Sequence, residues 1–284
     1  MIWRCPNCHS SLQPTDNSWR CAQGHSFDRA KQGYANLLLP NQKSSSNPGD
    51  SQSMMQSRRR FLQAGYYRPL AEAVAELLDS HYREGREGLG ASLGIGTLLD
   101  IGCGEGYYLR TLSESSSRAS AAKLYGLDIS REAIKRAATA LPTASFCVAS
   151  SYRLPVHDQS VDVVLQVFAP GDDREVQRVL TAEGFWITAS PGPRHLYQLK
   201  EALYQQVREH QVAETPAGFR LLEQRQVRFA LQLNSPEAIA DLLAMTPLAW
   251  RGSPEGKQQL LERDALEVEA DFILQLCMVM PEKA

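Results

Sequence analysis

The run Leu98-Leu99-Asp100-Ile101-Gly102-Cys103-Gly104-Glu105-Gly106 restricts most sharply what this 284-residue chain can become. An apolar stretch gives way to alternating glycines, and a helical pattern opens directly behind them. Gly102, Gly104 and Gly106 permit positive φ angles and close backbone approach, so a flat ligand can lie across a strand-to-helix turn. Tyr107 follows, making the pattern Gly-x-Gly-x-Gly rather than the dinucleotide Gly-x-Gly-x-x-Gly, which aims a helix N-terminus at a pyrophosphate. Glu105 stands where such a phosphate would lie and would repel it. The loop, with Cys103 between its first two glycines, suits a ligand that lacks phosphate and carries a cationic centre.

Asp128 ends the second predicted strand, twenty-two residues beyond Gly106. An acid at that tip can accept both hydroxyls of a ribose. Ser150 and Ser151 end the third strand, where an adenine edge is expected, and Leu154 is placed to pack on the ring. Together these positions point to S-adenosylmethionine and methyl transfer over a generic nucleotide-binding sheet. Tyr107 and Tyr108 read as helix-packing residues.

Around the loop, short apolar runs at 97–101, 123–127, 145–149, 161–167 and 184–189 predict strands. Helical spacing at 106–115, 131–141 and 174–181 separates them, and two further helices precede the first strand, the second over 67–82. Strands alternating with helices imply a Rossmann-like α/β fold, a mostly parallel sheet covered on both faces. The tail departs from this rhythm: a long helix over 195–210, a strand at 226–233, a helix from Pro236 and a last strand at 271–279. It predicts an antiparallel strand near the end. Ligands of open α/β sheets bind outside the carboxyl ends of strands, so Phe168-Ala169-Pro170-Gly171 and Ser190 to His195 should border the reaction space. His195 reads as a proton acceptor, a cofactor contact or only a helix N-terminal residue.

Ahead of this body, Cys5, Cys8, Cys21 and His25 are spaced Cys-x2-Cys-x12-Cys-x3-His, a pattern suited to tetrahedral zinc. Four ligands leave no position for water, so the zinc is structural. The alternative is buried thiols or disulfide partners, with His9 a competing ligand or a surface residue. Few apolar residues accompany the quartet, so the metal must supply much of that module's folding energy. The expected domains are a zinc-binding module over 1–39, a linker and helix over 40–65 with the turn-rich Asn47-Pro48-Gly49-Asp50, and a catalytic domain over 66–284. The chain has no apolar run long enough for a membrane span and no signal-peptide pattern. Cys103, Cys147 and Cys277 read as buried free thiols, in keeping with a reducing cytoplasm. Residues 1–66 hold eight Lys/Arg against three Asp/Glu, while the rest holds 22 against 29. Such a front suits a polyanion, or is a solvated basic face with no partner.

The zinc quartet, Gly24 to Asp28, Lys31 to Leu38, Asp100 to Tyr108 and Gly192 to Leu196 together resemble the bacterial 23S ribosomal RNA (guanine-N1)-methyltransferases. Asn47 to Asp50, Met54-Met55, Ala64 to Tyr67, Met245-Thr246-Pro247 and Trp250-Arg251 extend the resemblance over nearly the whole chain, with detail closer to the Gram-negative branch. Residues 85–96 and 113–120 look divergent. The resemblance implies a class I methyltransferase domain and a zinc module that helps engage a hairpin of 23S ribosomal RNA. It also places Tyr67, Gly102 to Gly106, Asp128 and His195 on cofactor-contacting positions, and makes a homodimer plausible. The implied reaction methylates guanine N1, hidden on the Watson–Crick edge, with Phe168 or Trp250 as stacking partners for an extruded base. No general base is evident. Two rival readings are a small-molecule methyltransferase with a purely structural zinc clip and a non-enzymatic RNA-binding protein. The basic front opposes the first, the intact glycine loop and Asp128 the second.

Overall fold

A computed structural model describes residues 1–42, 51–84 and 95–280. The chain opens with a three-stranded antiparallel sheet, β1 (Leu12–Pro14), β2 (Ser18–Cys21) and β3 (Ser26–Asp28), followed by the two-residue β4 (Ala35–Asn36). Two helices come next, α1 (Gln52–Gln63) and α2 (Arg68–Glu84). The alternating body runs β5 (Thr97–Ile101), α3 (Tyr107–Ser115), α4 (Ser117–Ala121), β6 (Lys123–Asp128), α5 (Arg131–Ala140), β7 (Ser145–Val148), β8 (Val161–Val167), α6 (Asp173–Val179) and β9 (Leu180–Pro191). The tail adds α7 (Tyr197–Leu203), β10 (Phe219–Leu233), α8 (Pro236–Ala244), α9 (Pro254–Leu261) and β11 (Leu266–Val279).

The main sheet has the order β10-β11-β9-β8-β5-β6-β7-β4, parallel from β9 to β4, with β11 antiparallel to β9 and β10 antiparallel to β11. The expected α/β sheet with antiparallel strands near the end is therefore present. Strand order reverses at β5, whose neighbours are β6 on one side and β8 on the other, so a crevice opens at their carboxyl ends. Asn47 to Asp50 and most of 85–96 lie outside the described residues.

Two expectations for the tail need correction. The helix predicted over 195–210 spans only Tyr197–Leu203, because Tyr204 turns extended and α9 crosses at its end, with Gly256 against the Ala202 carbonyl. The strands predicted at 226–233 and 271–279 run much longer, pairing with one another from Phe219↔Val279 to Leu233↔Leu266. The front module does not rely on metal alone. Trp3, Leu12, Trp19 and Leu37 are buried in one cluster with Tyr125, Leu127, Cys147 and Val156, so the module roofs one face of the main sheet. β4 pairs in parallel with β7, Trp3 bridges Val156, and the Trp3 indole donates to Ser145 Oγ at 2.9 Å. Burying apolar surface against the sheet therefore adds to whatever the metal contributes.

Candidate active site and metal centre

The cofactor loop sits at the β5 crevice and is set by backbone geometry. Gly102, Gly104 and Gly106 all have positive φ, at 70°, 54° and 78°. Their roles differ. A Cβ on Gly102 would lie 2.3 Å from the Ala169 Cβ, and one on Gly106 would press on Ala137 at 3.2 Å. Over Gly104 there is open space, as a ligand lying across the loop requires. Gly106 starts α3 without lining the cleft, so its part is packing.

A cleft of about 1420 Å³ runs from this loop across the sheet edge. It brings together Tyr67, Gly102, Cys103, Gly104, Glu105, Asp128, Ser150, Ser151 and His195. Asp128 accepts the Gly104 N–H through Oδ2 at 3.0 Å and the Ser130 N–H through Oδ1 at 2.7 Å. These two backbone donors fix the orientation of the carboxylate at the tip of β6. The buried Ser150 hydroxyl accepts the Tyr152 N–H at 3.2 Å and shapes the turn after β7. Leu154 does not line the cleft: it is buried beneath the sheet in the cluster shared with the front module, and Ile129 faces the cleft instead.

Glu105 is not an unpaired acid awaiting a cation. Its carboxylate faces the guanidinium of Arg136 at 3.2 Å and that of Arg59 at 3.7 Å, although burial still pushes its pKa upward. The better-placed acid is Asp100. It is buried at the end of β5, lines the cleft, and its Oδ2 has no hydrogen-bond partner among the described residues. Burial, reinforced by the Asp128 charge, pushes its pKa up to about 8. An orphaned buried acceptor next to an uncovered glycine fits a ligand carrying cationic donors, such as S-adenosylmethionine. The available signal was an acid inside the apolar run Leu98-Leu99-Asp100-Ile101.

His195 lies on the loop between β9 and α7, and that loop is held by β11. The Asp271 carboxylate accepts from the Arg194 N–H at 2.9 Å, and the Gly192 N–H donates to the Asp271 carbonyl at 2.8 Å. The Asp271 N–H donates to His195 Nδ1 at 3.4 Å, which puts the imidazole proton on Nε2. Burial, with Lys200 and His210 nearby, lowers the His195 pKa to about 3. A neutral ring with one nitrogen occupied and the other protonated is a donor, not a general base. Tyr67 is buried beside it, edge-on to Phe272 with centroids 5.0 Å apart, and burial raises its phenol pKa.

Helix α1 closes one side of the cleft through Met54, Met55, Arg58 and Arg59. Part of the front's positive charge is used within the molecule: Arg60 pairs with Asp241 of α8 through Nε at 2.8 Å, Arg59 with Glu105, and Arg4 with Asp158 at 3.1 Å. Phe168 is 42% exposed, with an uncommon positive φ of 54°, and Trp250 is 59% exposed; both line the cleft.

At the metal centre, the ligand atoms of Cys5, Cys8, Cys21 and His25 all lie within 4.8 Å of one another. Cys8 Sγ is 3.6 Å from Cys21 Sγ, and His25 Nδ1 is 3.6 Å from Cys5 Sγ and 3.4 Å from Cys21 Sγ. Tetrahedral zinc with Zn–S of about 2.3 Å and Zn–N of about 2.0 Å requires ligand separations of roughly 3.5–3.8 Å. The donor set fits zinc. Turns before β1 and after β2, both at the open end of that hairpin, present the ligands, the Cys5 N–H donating to the Ser10 carbonyl at 2.8 Å and the Cys21 N–H to the His25 carbonyl at 3.1 Å. His9 is exposed and stands outside the group. None of the four ligands lines the cleft, so the zinc is structural. None of the six cysteines is in a disulfide, and Cys103, Cys147 and Cys277, outside the metal group, are buried thiols.

The family model described as "RlmA, N-terminal", a zinc ribbon, matches residues 3–47, and the model described as "Methyltransferase domain" matches residues 98–184. The 23S rRNA (guanine(748)-N(1))-methyltransferase of Streptomyces fradiae is 33% identical over 286 residues, covering 98% of this chain and 97% of the relative. YxjB of Bacillus subtilis, provisionally named for 23S rRNA guanine-N1 methylation, is 32% identical over 95% of this chain and 94% of its own. A Micromonospora griseorubida protein with the same provisional name is 34% identical, with 88% of each chain covered.

Proposed function

The chain belongs to the 23S rRNA (guanine-N1)-methyltransferase family, and from that premise we propose how its own residues carry out S-adenosylmethionine-dependent methylation of guanine N1. The carrying observation is one continuous cleft that joins the glycine loop to exposed aromatic side chains at its rim. The bound cofactor supplies an electrophilic methyl carbon on a sulfonium. In this reading Asp128 accepts the ribose hydroxyls, Ser150 and Ser151 meet the adenine edge, and Gly102, Cys103, Gly104 and Glu105 form the floor. Gly106 sets the turn, Asp100 takes the cationic end, and Tyr67 and His195 hold the donor side.

Guanine N1 lies on the Watson–Crick edge, so the target base must leave its stack to enter the cleft. Phe168 and Trp250, exposed aromatic side chains that line the cleft, are the candidates on which an extruded purine can stack. Holding N1 in line with the methyl carbon is the principal task, since orientation alone supplies several kcal/mol of barrier reduction.

The division of labour runs from a zinc-bearing recognition module over 1–39, through a connecting helix over 40–65, to the transferase over 66–284. The module helps seat a hairpin of 23S ribosomal RNA, and two copies form a homodimer, both carried by the family resemblance. Free thiols support a reducing cytoplasmic setting, and no described helix is long and apolar enough to cross a membrane. A small-molecule methyltransferase and a non-enzymatic RNA-binding protein lose ground, because the relatives named for rRNA methylation span both parts of the chain.

The test is direct: incubate the protein with labelled cofactor and unmethylated 23S ribosomal RNA, then map the product. A single 1-methylguanine supports the reading. Label confined to protein or small molecules sinks it.

A further inference from the structure

The reaction must remove a proton from guanine N1, and His195 is not built to take it. One group in the same cleft is. Lys200, on α7, is 8% exposed, lines the cleft, and its Nζ is buried with no hydrogen-bond partner among the described residues. Lysines that merely cover apolar surface carry the nitrogen out to water, and this one does not. Arg208 and Arg251 line the same cleft. His195 and His210 both sense Lys200, and Asp271 lies behind them. Tyr204 follows one turn later and lines the cleft. On β11, Glu269 is engaged by Arg194 and Arg228, and α9, packed on α7, carries Glu255 and Lys257.

We propose that Lys200 is the general base that accepts the guanine N1 proton. The inference rests on the function proposed above. The N1–H bond breaks toward the neutral amine, the electron pair left on N1 forms the bond to the methyl carbon, and the carbon–sulfur pair stays on sulfur. The positive charge that begins on the sulfonium ends on the Lys200 ammonium. Burial lowers the amine's pKa, which increases its neutral fraction near physiological pH.

The experiment compares wild type with Lys200→Met, which keeps the apolar stem and removes the base. With wild type forming 1-methylguanine, the variant should lose about a hundredfold or more in kcat, the usual scale of general-base catalysis. Its affinities for S-adenosylmethionine and for RNA should change less than about threefold. An RNA carrying 8-azaguanine at the target, whose N1–H is more acidic, should recover most of the lost rate. In the cofactor-free protein, [13C]lysine NMR should show one resonance, absent from the variant, titrating below the exposed lysines. Unchanged kcat, RNA affinity falling in step with rate, no recovery on 8-azaguanine, or a Lys200 resonance titrating with the others would each overturn the assignment. Wild type that forms no 1-methylguanine would instead count against the underlying function.

Discussion

Asp128 Oδ2 accepts the backbone N–H of Gly104 at 3.0 Å, tying the tip of β6 to the apex of the glycine loop. The acid that the sequence suggests for a ribose thus also shapes the loop that receives the rest of the ligand. Loop geometry and cofactor affinity are coupled through one carboxylate.

That coupling separates the glycines. Gly102→Ala puts a Cβ 2.3 Å from Ala169 Cβ at a positive φ, so it should destabilise the fold by about 1–3 kcal/mol. Gly104→Ala meets open space and should cost only about 1–2 kcal/mol of backbone strain. It should nonetheless weaken S-adenosylmethionine binding tenfold or more, because its methyl group occupies the ligand's side. Thermal unfolding and calorimetric titration of both variants check the contrast.

Asp100 gives the pH dependence. Its folded-state pKa of about 8 lies above its unfolded value of 3.8, so between them the folded chain holds a proton that the unfolded chain has released. Stability therefore falls as pH rises through that window. Asp100→Asn should flatten the fall and raise the melting temperature at pH 8, while reducing cofactor affinity. Binding of the cationic cofactor at pH 7 should release a fraction of a proton, read from calorimetry in buffers of different ionisation enthalpy. No proton release would remove Asp100 from the site.

For His195, the Asp271 N–H at Nδ1 and a pKa lowered to about 3 assign a donor held in place. His195→Ala should weaken cofactor binding about tenfold and leave kcat at saturating cofactor within about tenfold. No limb of the kcat–pH profile between pH 5 and 9 should vanish with it. A complete loss of turnover at unchanged cofactor affinity would instead make His195 the general base.

Removing the zinc should loosen the module without emptying the cleft. Purified protein should carry one zinc per chain. Chelation should expose Cys5, Cys8 and Cys21 to thiol reagents and cost more than about 2 kcal/mol of stability. S-adenosylmethionine affinity should shift less than about twofold, since no zinc ligand reaches the cleft. Cofactor binding that disappears with the metal would contradict the separation of the two sites.

The chain alone determined features written in local spacing. The zinc quartet, the glycine loop, Asp128 and the five core strands are legible because turn chemistry, ligand spacing and short apolar runs act over a few residues. Tertiary structure decided whatever depends on which residues meet across the chain. Strand β4 has two residues, too few to show a period, yet it fixes the front module to the sheet edge. Helix α7 stops at Leu203 because α9 crosses its end. Glu105 gives way to Asp100 as the acid suited to a cation, because Arg136 and Arg59, distant in sequence, have already claimed the first. Of the three roles open to His195 the structure favours a held donor, and Lys200 becomes the base by proposal, for one reason. Protonation depends on burial and on partners brought from β11, and neither is encoded in the neighbouring residues.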